Sequence, residues 1–218
     1  MVNLMLSGYN FDKPFIAPAL KKYLYTGQRV SVAEFAFGKE CKNAENWEQL
    51  FGNGSQERKN IEAAFGSFGI LPEQISWINY FKDTPDEALK KIEQSDILFL
   101  PGGLPDKMME RFSEFQLIPA VEAFCGMIIG CSAGALIQAA DYFISPDSDY
   151  ESYMEKTGFH FLTDFAVEVH YCSAPEQRES IRRYIKARKK PVYAIEEDGG
   201  VLLENKTVRL FGKVSCFS

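Results

Sequence analysis

The sequence predicts an α/β fold: a doubly wound, mostly parallel sheet with helices on both faces, arranged as a three-layer sandwich. Short apolar runs rich in branched and aromatic residues alternate with segments of helical periodicity. Two of these runs end directly in glycine-containing turns, at residues 101–103 and 130–134. The 218 residues, 46% of them hydrophobic, fit one large domain spanning residues 1–218 better than two small ones.

Each element follows from its local pattern. Strands are expected at residues 2–6, 29–37, 76–80, 96–100, 127–130, 142–144, 165–171, 192–196, 201–204 and 208–211. Helices are expected at residues 58–68, 85–94, 133–140 and 176–187. An acidic loop is expected at residues 145–158, after the strand at 142–144.

Composition excludes several classes of function. A net charge of -6 argues against a nucleic-acid partner, and no apolar run is long enough to span a membrane. The five cysteines are irregularly spaced and lack a C-x-x-C pair, so neither a disulfide framework nor a metal site is expected, and no cofactor. With no leader pattern at the amino terminus, we expect a soluble cytoplasmic protein, monomeric or homodimeric.

A nucleophile elbow is indicated at residues 130–134, GCSAG. In a G-x-S-x-G turn the serine sits between a strand and a helix, and its hydroxyl is raised above the sheet. A strand pattern precedes Ser132 and a helix pattern follows it. The amide of Ala133, at the helix start, and that of Gly103, with Gly102 as the alternative, would then stabilise an oxyanion.

Two other interpretations of this segment stay open. The glycines could serve only a tight strand-to-helix connection, as in phosphate-binding and flavodoxin-like sheets. Cys131 could be the nucleophile of a thiol-dependent enzyme, although it occupies an x position, which points away from where the elbow presents its central residue.

The base must come from the two histidines, His160 and His170. His170 is favoured because it ends a predicted strand at the edge where the elbow also opens. Glu168 lies two positions earlier and could share its face, although a solvent-facing position is expected for it. The acidic loop offers four carboxylates that could orient the imidazole, and spacing alone does not choose among them: Asp141, Asp147, Asp149 and Glu151.

Three segments together resemble the dipeptidase E family of serine peptidases: residues 100–103 (LPGG), 129–135 (IGCSAGA) and 169–171 (VHY). The resemblance implies a sheet like that of class I glutamine amidotransferases, which is flavodoxin-like. It also implies a Ser-His-Asp triad whose aspartate lies in the loop after the serine, where Asp147 and Asp149 both fit. A slight preference goes to Asp147.

The sequence departs from the family at two positions. Leu104 stands where family members commonly have asparagine, and Pro175 stands where aspartyl dipeptidases have the arginine that binds the acidic side chain of the substrate. Arg178, or Arg182 one turn later, could replace that arginine as substrate-binding residue. We therefore expect a serine-type exopeptidase acting on small peptides, with a catalytically silent protein that binds a small ligand or a protein partner as the alternative.

Overall fold

The computed structural model of the protein describes residues 1–218. Its strands are Val2–Leu6 (β1), Val30–Ala33 (β2), Ile75–Ile78 (β3), Ile97–Leu100 (β4), Met127–Cys131 (β5), Asp141–Ile144 (β6), Met154–Thr157 (β7), Ala166–Glu168 (β8), Val192–Glu204 (β9) and Thr207–Phe217 (β10). Its α-helices are Ala17–Leu20 (α1), Ala44–Phe51 (α2), Gln56–Gly66 (α3), Pro85–Glu93 (α4), Pro105–Glu114 (α5), Ile118–Glu122 (α6), Ala133–Leu136 (α7) and Pro175–Arg188 (α8). None of these helices has the length and apolar character that crossing a bilayer requires.

The central sheet has the order β10-β9-β1-β5-β4-β2-β3, and β8 pairs with one end of β9. Neighbours from β1 to β3 run parallel, as does β8 beside β9. The long strand β9 runs antiparallel to both β1 and β10. Strands β6 and β7 form a separate antiparallel pair. The sheet is therefore mostly parallel, which confirms the predicted α/β class.

Two hydrophobic cores lie on opposite faces of this sheet. Successive residues of β4 alternate between them: Leu98 and Leu100 pack with α4 to α8, whereas Ile97 and Phe99 pack with α1 to α3. Every residue of β4 is buried, because both faces of a parallel strand are covered. Helices thus flank the sheet on both sides, as the alternation of apolar runs predicts.

One edge of the sheet gathers the residues that matter for chemistry. Leu6 of β1 pairs with Cys131 of β5, and Leu100 of β4 pairs with Gly130, so these three strands end side by side. The segments that follow them, at 7, 101–103 and 132, therefore meet at this edge. The carboxyl end of β2 lies at the same edge, because β2 runs parallel to β4. The carboxyl end of β8 lies there as well, because the amide of His170, just after β8, donates to the hydroxyl of Ser7, just after β1.

Several elements differ from the expectations. The helix after the elbow ends at Leu136 rather than at 140, because the chain turns there to hydrogen-bond with the segment around Leu162. The expected acidic loop contains β7, and the closing strands are longer than expected. Helix α5 was not expected: it begins after Leu104, whose side chain forms no capping hydrogen bond, so the usual start signal is missing.

Candidate active site

Ser132 occupies the sharp turn between β5 and α7. Its backbone angles are φ 50° and ψ -113°, a combination that a residue with a side chain adopts only when its surroundings enforce it. The Ser132 amide donates to the carbonyl of Leu6 at 2.8 Å, which anchors the turn to β1. The side chain is half-buried. Ser132 therefore sits in a sharp strand-to-helix turn, at the position where the sequence predicts one.

Glycine is required on both sides of the serine. A Cβ on Gly130 would lie 2.1 Å from the carbonyl oxygen of Gly134, and one on Gly134 would lie 2.0 Å from that of Leu100. These obstacles are backbone atoms, so a larger residue could be accommodated only by moving β4, β5 or α7. The two glycines therefore allow strand and helix to approach closely enough to form the turn.

Gly103 presents a free amide beside the elbow. Its φ is +133°, and a Cβ there would lie 2.3 Å from the carbonyl oxygen of Ala36, so only glycine fits. The Gly103 amide donates to no protein acceptor, whereas that of Gly102 donates to the Tyr9 hydroxyl at 3.1 Å. Ala133, the first residue of α7, has no acceptor within its own helix. Gly103 and Ala133 line one cleft with Ser132.

His170 follows β8 and lines that same cleft. Its φ is +50°, and its amide donates to the Ser7 hydroxyl at 2.9 Å, which in turn donates to the carbonyl of Ile195. The side-chain amide of Gln177 donates to the His170 carbonyl at 3.1 Å. Side chains from the ends of β1 and α8 thus fix the backbone of this residue, and sequence reasoning missed both.

Glu197 is the carboxylate that contacts the imidazole. The distance from His170 Nδ1 to Glu197 Oε1 is 2.6 Å, and both side chains are well exposed, 49% and 67% respectively. Glu197 lies in β9 opposite an irregularity of β10 at Gly212, where the register shifts. Such bulges redirect side chains at sheet edges. The signal in the sequence was the acidic triplet at 196–198, at the end of the strand expected at 192–196.

The loop aspartates lie elsewhere in the site. Asp147 and Asp149 are exposed and line the cleft, but neither forms a hydrogen bond with His170. Asp147 Oδ1 instead accepts the amides of Asp149 and Tyr150 at 2.8 and 2.9 Å, an arrangement that orders its own loop. The expected contact of Asp147 or Asp149 with the imidazole is thus made by Glu197.

Three other candidate residues lie outside the cleft. Asp141 forms ion pairs with Arg188 and Lys190 outside the cleft. His160 contacts Glu122 at 2.6 Å in a different depression of the surface. Arg178 is exposed on α8 and does not line the cleft, although its neighbours Glu176 and Gln177 do.

The cleft itself has a volume of about 470 Å³. The Ser132 hydroxyl and the His170 imidazole both line it without a direct hydrogen bond between them. Catalytic hydrogen bonds are commonly longer in unliganded sites and tighten when substrate binds. Ser132, His170, Gly103 and Ala133 therefore line one space of this volume.

Glu168 is buried at the floor of the cleft, so the expectation of a solvent-facing position is wrong. It is 4% exposed and accepts a hydrogen bond from the Ser145 hydroxyl at 2.8 Å. Burial raises the pKa of this carboxyl to about 8, although hydrogen bonds from Ser145 and Gln177 oppose the shift. Glu168 and His170 both line the cleft, but no hydrogen bond joins them.

Cys131 is buried within the first strand of the elbow. Burial raises the pKa of its thiol well above the usual value, and the nearby charge of Glu57 adds to the effect. A protonated, inaccessible thiol is a poor nucleophile. The arrangement therefore favours Ser132 over Cys131.

Comparison with known proteins identifies a family and agrees with the fold. The family model described as Peptidase family S51 matches residues 55–211. A protein of Listeria monocytogenes, provisionally assigned as a peptidase E, has a similar structure: TM-score 0.65, 16% identity, 96% of each chain covered. A peptidase from an acI-B1 Actinobacterium is similar at a TM-score of 0.57 and 12% identity, over 97% of this chain and 87% of that one. No curated protein matches the sequence.

Proposed function

Because the chain belongs to peptidase family S51, the peptidase E family of serine peptidases, we propose that it is an exopeptidase that cleaves short peptides with Ser132, His170 and Glu197. The observation that carries this proposal is the contact of Glu197 with His170 Nδ1 beside the elbow. It gives the site a nucleophile, a base and a carboxylate that orients the base.

The roles of the two imidazole nitrogens of His170 follow from the contact of Nδ1 with Glu197. Glu197 accepts a hydrogen bond from the protonated Nδ1 of His170, so the neutral imidazole carries its free electron pair on Nε2. Nε2 takes the proton of Ser132 as its oxygen attacks the peptide carbonyl, and then returns that proton to the departing amine. The amides of Gly103 and Ala133 stabilise the negative oxygen. Water attacks the acyl-enzyme by the same proton route, releasing the acid and restoring Ser132.

The preference for short peptides is supported by the shape of the site. A cleft of about 470 Å³ lies in the range of pockets that enclose small ligands. The acidic loop and the start of α8 form its walls, through Pro146, Asp149 and Glu176 among others. An extended chain would have to cross these walls, whereas one end of a peptide would enter freely.

A catalytically silent binding protein is the second candidate. It is favoured by the missing hydrogen bond between Ser132 and His170 and by the apolar Leu104 beside the oxyanion turn. In such a protein the cleft would bind a small ligand or a protein partner without turnover.

A fluorophosphonate probe and a panel of dipeptides and tripeptides separate the two candidates. We expect the probe to label wild-type protein on Ser132, and hydrolysis to be lost in Ser132→Ala, with Cys131→Ala as the matched control that keeps labelling. Absence of labelling in folded wild-type protein, or equal hydrolysis by wild type and Ser132→Ala, would contradict the proposal.

A further inference from the structure

A second cavity, of about 620 Å³, adjoins the cleft of Ser132. The turn of Gly102 and Gly103 forms part of its wall, and a Cβ on Gly102 would lie only 3.3 Å from Cβ of Ser132. Gly103 and Asp149 line both spaces. A peptide whose carbonyl is bound by the amides of Gly103 and Ala133 could therefore extend one group into this cavity. We call it the Glu34 cavity.

Glu34 gives the cavity its character. It follows β2, is 1% exposed, and its Oε2 is buried without a hydrogen-bond partner. A buried carboxylate without a partner is costly, and the cost is offset when a donor binds. Burial raises the pKa of Glu34 well above its usual value, and repulsion from Glu57 raises it further. The empty cavity therefore favours the protonated form of Glu34, and a cation bound beside it would favour the carboxylate.

Neighbouring cations do not satisfy this acceptor. Arg111 lowers the pKa of Glu34 through its charge, yet its guanidinium donates to the carbonyls of Phe35 and Phe37 and stacks on the Phe37 ring at 3.5 Å. Lys39 is the single lysine or arginine that lines the Glu34 cavity. Within the chain, Oε2 of Glu34 has no hydrogen-bond partner.

The charge of the whole site has the same sign. Four acidic side chains line the cleft and four line the Glu34 cavity, Asp149 being common to both. No lysine or arginine lines the cleft. An aspartyl side chain would meet several carboxyl groups and a single lysine, whereas a cationic group would be attracted to the ionised carboxylates. Nowhere in the chain are three or more His, Cys, Asp or Glu side chains grouped to hold a metal ion, so an organic cation suits the cavity better.

We propose that the Glu34 cavity binds a positively charged nitrogen of the peptide substrate and so directs the enzyme to cationic rather than acidic peptides. The nitrogen belongs either to a lysine or arginine side chain or to the α-ammonium group at the amino end. This assignment rests on the proposed peptidase function, because it places the cation in relation to a carbonyl bound at Ser132.

Peptide binding to the Ser132→Ala protein, which cannot use Ser132 to cleave the peptide, tests the assignment without turnover. Ser132→Ala protein is titrated by calorimetry with Lys-Ala-Ala, norleucyl-Ala-Ala, Asp-Ala-Ala and the amino-acetylated forms of the first two. We expect Lys-Ala-Ala to bind at least about tenfold more tightly than norleucyl-Ala-Ala, or the peptides with a free amino terminus to bind at least about tenfold more tightly than their acetylated forms. The norleucyl comparison identifies a side-chain cation, and the acetylated comparison identifies the α-ammonium group.

The same titration with Glu34→Gln added removes the only side chain of the cavity wall whose buried oxygen lacks a partner and that can ionise when a cation binds, but keeps its shape, and we expect the preference to fall to near unity. Glu57→Gln, half-buried in the first turn of α3, is the second variant should Glu34→Gln fail to fold, and a several-fold smaller preference is expected there. Glu176→Gln is the matched control, because Glu176 lines the cleft but not the Glu34 cavity, and it should retain most of the preference.

Equal affinity for cationic and neutral peptides would overturn the assignment, as would a preference that survives both Glu34→Gln and Glu57→Gln or is lost equally in Glu176→Gln. Tighter binding of Asp-Ala-Ala would overturn it as well. A preference for the cation in binding, together with no hydrolysis by wild type, would instead refute the peptidase proposal and leave the cavity assigned.

Discussion

The nucleophile and the base of the candidate site are held in different ways. Ser132 sits in a turn where Gly130 and Gly134 bring three backbones into close contact, and its neighbours in the elbow are buried. The imidazole of His170 and its partner Glu197 are exposed and joined by one contact at the surface. The first arrangement depends on packing density and the second on a few hydrogen bonds. Substitutions should therefore damage folding on one side and catalysis on the other.

The sharpest test of the exposed side is Glu197→Gln. A glutamine can keep the contact with His170 but favours the wrong tautomer, so we expect kcat/KM to fall by about a thousandfold or more while the protein stays folded. Steady-state kinetics with the best peptide measures this. Asp147→Asn is the matched control and should change kcat/KM by no more than about threefold. A large loss of kcat/KM in Asp147→Asn with little loss in Glu197→Gln would instead assign to Asp147 the role of orienting His170.

The packed side is tested by Gly134→Ala. The new Cβ would overlap the carbonyl oxygen of Leu100, so the free energy of unfolding should fall by about 3 kcal/mol or more. Urea denaturation measures the change. Gly66→Ala is the control, because no atom lies within 4 Å of the added group and α3 ends there. Equal stability of the two variants would show that the elbow is not tightly packed.

A buried carboxylate beneath the cleft adds a pH dependence of stability. Glu168 has a pKa of about 8 in the folded protein, above the usual value of 4.5, so the folded state binds the extra proton. Below about pH 4.5 the carboxyl is protonated in both the folded and the unfolded state, and its contribution to the free energy of unfolding is fully present. This contribution should decline as pH rises towards 8. We expect a loss on the order of 2 kcal/mol between pH 5 and pH 7 that Glu168→Gln removes.

Denaturation at several pH values compares wild type with Glu168→Gln, and Glu179→Gln on the exposed face of α8 serves as control. Parallel curves for wild type and Glu168→Gln would exclude the buried carboxyl as the cause.

The smallest effect concerns Ser7, which we regard as a positioning residue. Ser7→Ala removes the hydroxyl between the His170 amide and the Ile195 carbonyl, and we expect kcat to fall by about tenfold with KM little changed. Ser76→Ala, which also loses a bond to a backbone carbonyl but lies in β3, should leave kcat unaltered. A rise in KM without loss of kcat in Ser7→Ala would place its role in substrate binding instead.

The sequence predicts the packed side far better than the exposed side. The elbow is local: five consecutive residues, a strand before them and a helix after them determine the turn, so Ser132, Ala133 and Gly103 could be assigned as candidates. The partner of His170 is not local. Glu197 reaches it because β9 pairs with β1 and a register shift in β10 redirects the chain, and neither is encoded within a short window.

Burial explains the other differences. Glu34 and Glu168 read as ordinary polar residues at the ends of strands, and only the packing of neighbouring elements shows that both are shielded from solvent. The sequence did not predict helix α5, because Leu104, the residue just before it, has no side chain that can cap a helix. Strands β1, β3, β4 and β5, in contrast, lie within two residues of their expected limits, since continuous apolar runs of their length are typical of parallel sheets. The strands expected at 192–196 and 201–204 are instead parts of the single strand β9.

The backbone of Ser132 also bears on how such a site persists. A residue with a side chain at φ 50° and ψ -113° holds about 1 to 3 kcal/mol of unfavourable conformational energy, which glycine would largely relieve. Selection for thermal endurance alone would therefore replace the nucleophile by glycine. That a serine occupies this position is a trade-off in which folding free energy is given up for a hydroxyl at the edge of the sheet.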